Sequence, residues 1–167
     1  MDNVEKTTPD ADDVDHVWKL MEKIDLCMLV SRDGEKIRAR PMSSHPRQAE
    51  NAVYFLTHAR GHKDEEVAQD EHVCLVFQKQ NEGKFLAVTG RARVSDDRAL
   101  IKSLWDKDAE AFWNGPDDPG VRVIAVTPDD AQFWEGPHGV VATVQMVLAA
   151  ATNAPPVLGD QRKVDLH

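Results

Sequence analysis

The chain has 167 residues, 41% of them hydrophobic, with a formal net charge of −9 and a pI near 5.2. That length and apolar content fit one domain with its own core, and so acidic a balance argues against a nucleic-acid surface, which needs a basic face to release counterions. Its cysteines, Cys27 and Cys74, sit in the apolar runs "LCMLV" and "VCLVF", the setting of small buried hydrophobes and not of a disulfide framework.

The opening "MDNVEKTTPDADDVD" has neither the basic start nor the apolar stretch of a signal peptide, so a cytoplasmic protein is expected. Residues 1–13 read as an acidic disordered tail, 14–152 as the folded domain and 153–167 as a C-terminal tail. In "DVDHVWKLMEKI", Val14, Val17, Trp18, Met21 and Ile24 recur at helical spacing and predict an amphipathic helix. "DLCMLVS" then reads as an apolar strand, "RDGE" as an Asp-Gly turn and "KIRARPMSS" as a half-buried returning strand. A strand "AVYFLT" precedes a short helix over about 61–69. Two further strands, "HVCLVFQKQ" and "KFLAVTGRARVS", are joined by the turn "NEG". "DDRALIKSLW" opens with capping aspartates and sets Leu100, Ile101, Leu104 and Trp105 on one side of another helix. The Pro/Gly loop "NGPDDPG" leads to the last strand, "VRVIAVTPDDAQFWEG". The segment over 140–151 is apolar but interrupted by Thr143 and Gln145 and too short for a bilayer core, so it reads as a packed helix and no membrane partner is expected.

Strands in hairpin-linked runs, with few and irregular helices, predict a mainly β, antiparallel barrel with attached helices instead of repeated βαβ units. The glycine-rich signatures of dinucleotide folds and P-loops and the G-x-S-x-G elbow of α/β hydrolases are missing. His58 and His62 stand four apart, but Ala59 occupies the place of the glutamate in H-E-x-x-H, so metal binding has little support.

One stretch is anomalous for so acidic a chain. "YFLTHARGHK" ends a strand at Thr57 and gathers His58, Arg60, His62 and Lys63 before the acidic "DEE". A helix beginning there would present unpaired N–H groups to an anion. Lys63 in its first turn opposes the helix dipole unless it has an anionic partner, and a solvated lysine paired with its acidic neighbours is the alternative.

The same stretch resembles the segment that holds the FMN phosphate in the pyridoxamine 5'-phosphate oxidase-like FMN-binding split barrels. "ARPM" is similar to that family's Ala-Arg-Met strand, "HVCLVFQ" and "VTGRARVSDD" resemble its two central strands, and "VTPDDAQFWEG" resembles its Phe-Trp-x-Gly ending. "LWDKDAEAFWNGPDDPGVRVIAVTP" looks most like the general stress protein 26 branch. The resemblance implies a split β-barrel and a flavin site formed by Arg38, Arg40, Ser43, Leu56, Thr57, His62, Lys63 and Trp134. Within it, Arg40 stands beside the isoalloxazine ring, Thr57 near the ring edge or ribityl chain and His62 with Lys63 at the phosphate. Trp134 reaches the flavin of the neighbouring subunit of a homodimer. On spacing alone, the alternative for Trp134 is a core aromatic after the last strand, and for at least one of Arg38 and Arg40, two apart on one strand face, a solvated residue.

The departures narrow the function. After "FWEG" the chain runs "PHGVVATVQMVL" where the true oxidases carry an Arg-Leu-His element for the substrate phosphate. Ser44 or His45 stands near the place of the family's lysine in the "ARPM" strand, and "FLAV" replaces an amide. The resemblance therefore implies an FMN-binding stress protein, FAD remaining open as cofactor, that is not a pyridoxamine phosphate oxidase. It would act as an oxidoreductase on an unknown small molecule with a nicotinamide reductant, NAD(P)H. The alternative is a non-enzymatic flavin store or stress sensor.

Overall fold

In the structure, a computed structural model, residues 10–59, 70–136 and 160–166 are described. The expected helices over 61–69 and 140–151 lie outside these residues, as do His62 and Lys63.

The first helix, α1 (Ala11–Ile24), starts three residues before the expected Val14 because Asp10 caps it, accepting from the backbone N–H of Asp12 at 3.1 Å. Its apolar stripe buries Val17, Trp18, Leu20, Met21 and Ile24. Asp25 takes a positive φ of 54° and returns its N–H to the Met21 carbonyl, which ends the helix and launches the sheet.

The strands follow as β1 (Leu26–Asp33), β2 (Lys36–Ser43), β3 (His45–Arg47), β4 (Ala52–His58), β5 (His72–Lys79) and β6 (Lys84–Ser95). Two short helices, α2 (Arg98–Leu104) and α3 (Lys107–Glu110), precede β7 (Val121–Glu135) and β8 (Asp160–Asp165). All pairings are antiparallel, in the order β2-β1-β5-β6-β7-β4-β3 with β8 beside β7. Both predicted hairpins, β1–β2 and β5–β6, are present. The architecture is mainly antiparallel β with attached helices, as the hairpin-linked runs predict, and the sheet is not closed.

Three elements were not foreseen. Neither β3 nor α3 was read from the sequence, and β8 falls within the span read as a C-terminal tail. β8 enters the sheet because Val164, with Leu166 just beyond it, is buried in the main core, while Arg162, Lys163 and Asp165 stay exposed.

The 15-residue β7 organises the molecule. Along one edge it pairs with β6. Its other edge serves β4 over Val121–Val126 and β8 over Asp130–Glu135. Pro128 falls in the gap between these two partners, where a missing N–H breaks no ladder to either.

Two cores result. Trp18 and Met21 of α1 pack with Leu29, Phe55, Leu75, Phe77, Leu86 and Phe133 from the sheet, each fully buried large apolar side chain contributing about 1.5–3 kcal/mol. Ile101 and Leu104 of α2 pack with Ala52, Tyr54, Val121 and Val123 on the opposite face. β4 thus lies between both cores: Val53 and Phe55 enter the first, Ala52 and Tyr54 the second. This two-sided burial explains why "AVYF" reads as a continuous apolar run instead of an alternating one.

Candidate functional site

Where β2 and β4 approach α3, they enclose a cavity of about 380 Å³. From β1 and β2 come Leu26, Pro41, Met42 and Ser43, and from β4 come Leu56, Thr57 and His58. The opposite wall is Asp106, Asp108 and Ala109 of the α3 region with Phe112 and Trp113 just after it, and His45 of β3 completes the lining.

Local sequence holds that far wall in place. Asp106 caps α3, its carboxylate accepting from the Ala109 N–H at 2.8 Å. Arg98 donates to the carbonyls of Asp118 at 2.7 Å and Val121 at 3.0 Å, tying the following loop to β7. The Asp118 carboxylate accepts the N–H groups of Gly120 at 2.8 Å and Asn114 at 3.2 Å, and these bonds depress its pKa. The indole N–H of Trp113 donates to His58 Nδ1 at 3.1 Å, with the rings 4.7 Å apart. Trp113 therefore bridges the far wall to the end of β4.

His45 lies with its Nε2 3.9 Å from an Asp106 carboxylate oxygen. Burial pushes its pKa below the ordinary histidine value, and the Asp106 charge counteracts this in part. Thr57 is buried at 2% exposure, whereas Phe112 is 67% exposed.

Of the residues expected in a flavin site, Ser43, Leu56 and Thr57 meet in this lining. Arg40 is half-buried on β2 and donates to the Ser31 hydroxyl at 3.1 Å, outside the lining. Arg38 is exposed and bonds Asp33 at 3.2 Å. Trp134 is half-buried and pairs in register with Phe85. Arg122 of β7 is the register partner of Thr57, and from there to Trp134 the strand runs a contour of about 40 Å at roughly 3.3 Å per residue. Trp134 is thus remote along β7 from its own chain's cavity. Of the two residues near the place of the family's lysine, Ser44 is buried and donates its hydroxyl to the Asp25 carbonyl at 2.6 Å, while His45 lines the cavity.

Sequence reasoning missed the wall formed by Asp106, Asp108, Phe112 and Trp113. A capping aspartate followed by the adjacent aromatics of "AFWNGP" was its available signal. Among the described residues, no group of three or more His, Cys, Asp or Glu could hold a metal ion, and no helix is long and apolar enough to cross a membrane.

A family model described as pyridoxamine 5'-phosphate oxidase like matches residues 12–156. General stress protein 26 of Bacillus subtilis is 26% identical over 84 residues, 48% of this chain and 60% of that protein. Protein bli-3 of Neurospora crassa is 25% identical over 113 residues, 62% of this chain and 54% of that protein. The matches thus span little more than half the length of these curated relatives. Among solved structures, a general stress protein 26 from Jannaschia sp. CCS1 superposes with a TM-score of 0.72 at 25% identity, covering 93% of this chain and 99% of that one. The general stress FMN/FAD binding protein of Xanthomonas citri has a TM-score of 0.69 at 24% identity, covering 80% and 95%. The sheet is that of the pyridoxamine 5'-phosphate oxidase-like split barrels, left open.

Proposed function

The chain belongs to the pyridoxamine 5'-phosphate oxidase like family, and from that premise we propose that it binds a flavin, FMN in the first instance, in the cavity between β4 and α3. One observation carries the reading: Ser43, Leu56 and Thr57, which the resemblance assigns to the cofactor, line a single cavity of about 380 Å³. That volume lies within the range of small-molecule sites.

The lining fits a flavin. Leu26, Pro41, Met42 and Leu56 offer apolar surface to a planar ring, and Ser43 and Thr57 add hydroxyls that fix its orientation. The phosphate would be held by His62 and Lys63, a few residues beyond the end of β4, through charge-assisted hydrogen bonds. Arg40 would stand beside the ring, where a guanidinium stabilises negative charge. Bound flavin supplies hydride chemistry, and the protein's part is binding, orientation and electrostatics. The activity we infer is that of an oxidoreductase on a small molecule with NAD(P)H as reductant, and not of a pyridoxamine phosphate oxidase, since "FWEGPHGVV" offers no arginine for the substrate phosphate.

The proposed assembly is a homodimer. The sheet face opposite the main core exposes Leu26 at 55%, Met28 at 37%, Val76 at 38% and Phe85 at 39%, an apolar surface suited to a second copy. Trp134 lies on this face opposite Phe85 and would complete the neighbour's site. A non-enzymatic flavin store or stress sensor is the second reading. It is favoured by the engagement of His58 Nδ1 with Trp113, which occupies one of the site's candidate proton-transfer atoms.

The deciding experiment is the absorbance spectrum of the purified protein after incubation with FMN, mass spectrometry of the released ligand, and anaerobic addition of NAD(P)H. A flavin spectrum bleached by NAD(P)H is expected. A flavin spectrum that no pyridine nucleotide bleaches selects the storage or sensing reading, and a colourless protein after reconstitution overturns both. Aerobic incubation of the FMN-loaded protein with pyridoxamine phosphate should form no pyridoxal phosphate; turnover like that of an authentic oxidase overturns the exclusion.

A further inference from the structure

β4 ends on His58, which lines the cavity. The indole N–H of Trp113 reaches its Nδ1 at 3.1 Å, with the ring centroids 4.7 Å apart. A ring nitrogen that accepts a hydrogen bond carries no proton, so the neutral imidazole keeps its proton on Nε2. That N–H has no hydrogen-bond partner among the described residues. An oriented donor at the cavity is therefore open to an acceptor.

Trp113 is itself held by its neighbours. Its ring lies beside Trp105 and Phe112 at centroid separations of 6.3 and 5.7 Å and packs against the second core. The next residue, Asn114, gives its N–H to the Asp118 carboxylate at 3.2 Å, and the other oxygen of that carboxylate accepts from Gly120 at 2.8 Å. The Gly120 carbonyl in turn accepts the N–H of Ala59, just beyond His58, at 2.8 Å. Ring and backbone at the end of β4 are thus tied to the same loop, which gives the His58 ring a fixed direction as well as a fixed tautomer.

We propose that Trp113 is a positioning residue: its indole N–H holds His58 so that Nε2–H is presented to the cavity and donates to an oxygen acceptor of the bound molecule. Taking that molecule as the flavin rests on the reading above; the hold of Trp113 on the ring does not. A flavin offers such oxygens in its phosphate and in the rest of the molecule, and the test separates the two.

FMN and riboflavin are titrated by fluorescence into the full-length protein, Trp113→Phe, His58→Leu and the double variant. Phenylalanine keeps an aromatic ring and removes only the indole N–H. Trp113→Phe should weaken binding about threefold and His58→Leu about three- to tenfold. The double variant should lose no more than His58→Leu alone, because Trp113 acts through that ring. His58→Gln, which restores an N–H near the place of Nε2, should recover part of the loss. A loss confined to FMN assigns the acceptor to the phosphate, and an equal loss with riboflavin assigns it to the ring or ribityl chain. Nitrogen NMR of the His58 ring at mildly alkaline pH supplies the readout that a merely structural role would not move: the proton on Nε2 in the parent protein, and a mixture of tautomers in Trp113→Phe. Losses that add in the double variant, or a parent ring protonated on Nδ1, overturn the proposal and leave the flavin reading standing. A folded protein that binds neither flavin overturns the flavin reading, and the ring tautomer then decides the hold of Trp113 by itself.

Discussion

Gly90 of β6 lies so close to β7 that a Cβ built on it would stand 2.5 Å from the Thr127 carbonyl oxygen and 3.1 Å from the Pro128 Cα. This contact coincides with the register shift between Thr89 and Gly90, at the point where the outer edge of β7 passes from β4 to β8. Backbone meets backbone there, so no rotamer change can relieve an added methyl. Gly90→Ala should destabilise the fold by about 1–3 kcal/mol through forced strand separation. The expected result is a lower urea midpoint at unchanged slope; a midpoint equal to or above that of the parent protein would refute the close approach.

Glu82 joins α1 to the β5–β6 hairpin. It accepts from Lys23 of α1 at 2.6 Å and lies 3.0 Å from Lys79 and 3.5 Å from Lys84. The hydrogen bonds from Lys23 and then Lys79 draw its pKa down to about 2 from an ordinary 4.5. A depressed folded-state pKa contributes stability that is complete above the unfolded value and is lost as pH falls through the folded one. Glu82→Gln should therefore lower stability near neutrality, with the gap to the parent protein closing between about pH 4.5 and pH 2. Urea midpoints across that window at low salt check this. A gap that stays constant with pH would assign the effect to packing.

What the sequence disclosed and what it withheld follow from the range of the interactions involved. α1 was legible because Val17, Trp18, Met21 and Ile24 repeat with the helix period and a single core receives them. β4 was legible because both its faces are covered. β8 was not: "DQRKVD" carries one apolar residue, and only the free edge of β7 beyond Pro128 makes it a strand. β3 and α3, with three and four residues, are too short to show a period. Ser43, Leu56 and Thr57 came from family resemblance, and the structure shows them lining one cavity. Asp106, Asp108, Phe112 and Trp113 escaped because they reach the cavity from an irregular connection over fifty residues after Ser43 and about fifty after Leu56 and Thr57, a contact that only the tertiary fold creates.

The cation cluster after β4 yields a prediction that separates phosphate from ring. If Lys63 holds the FMN phosphate, Lys63→Ala costs roughly 1.5–3 kcal/mol of FMN binding, about ten- to more than a hundredfold in Kd. Riboflavin, which lacks the phosphate, should bind the variant and the parent protein alike. Fluorescence titration with both ligands measures the difference. Unchanged FMN affinity would return Lys63 to the solvated surface.

The last prediction links flavin to assembly. Trp134 sits on the exposed apolar sheet face, opposite Phe85 and a long strand contour from the Thr57 end of β7. We propose that a side chain so placed contributes to the flavin site of a second copy, the cavity of its own chain lying far along the strand. If it does, FMN prefers the dimer and must tighten it by its differential affinity for the two states. Sedimentation over a dilution series should then give a lower dimer dissociation constant with FMN than without. Trp134→Ala should weaken both flavin binding and this coupling, because the aromatic group that reads the neighbour's cavity is gone, while the barrel core of Trp18, Phe55 and Phe77 is untouched. A parent protein that stays monomeric at micromolar concentration yet binds FMN tightly would leave the cavity complete within one chain and Trp134 a surface aromatic.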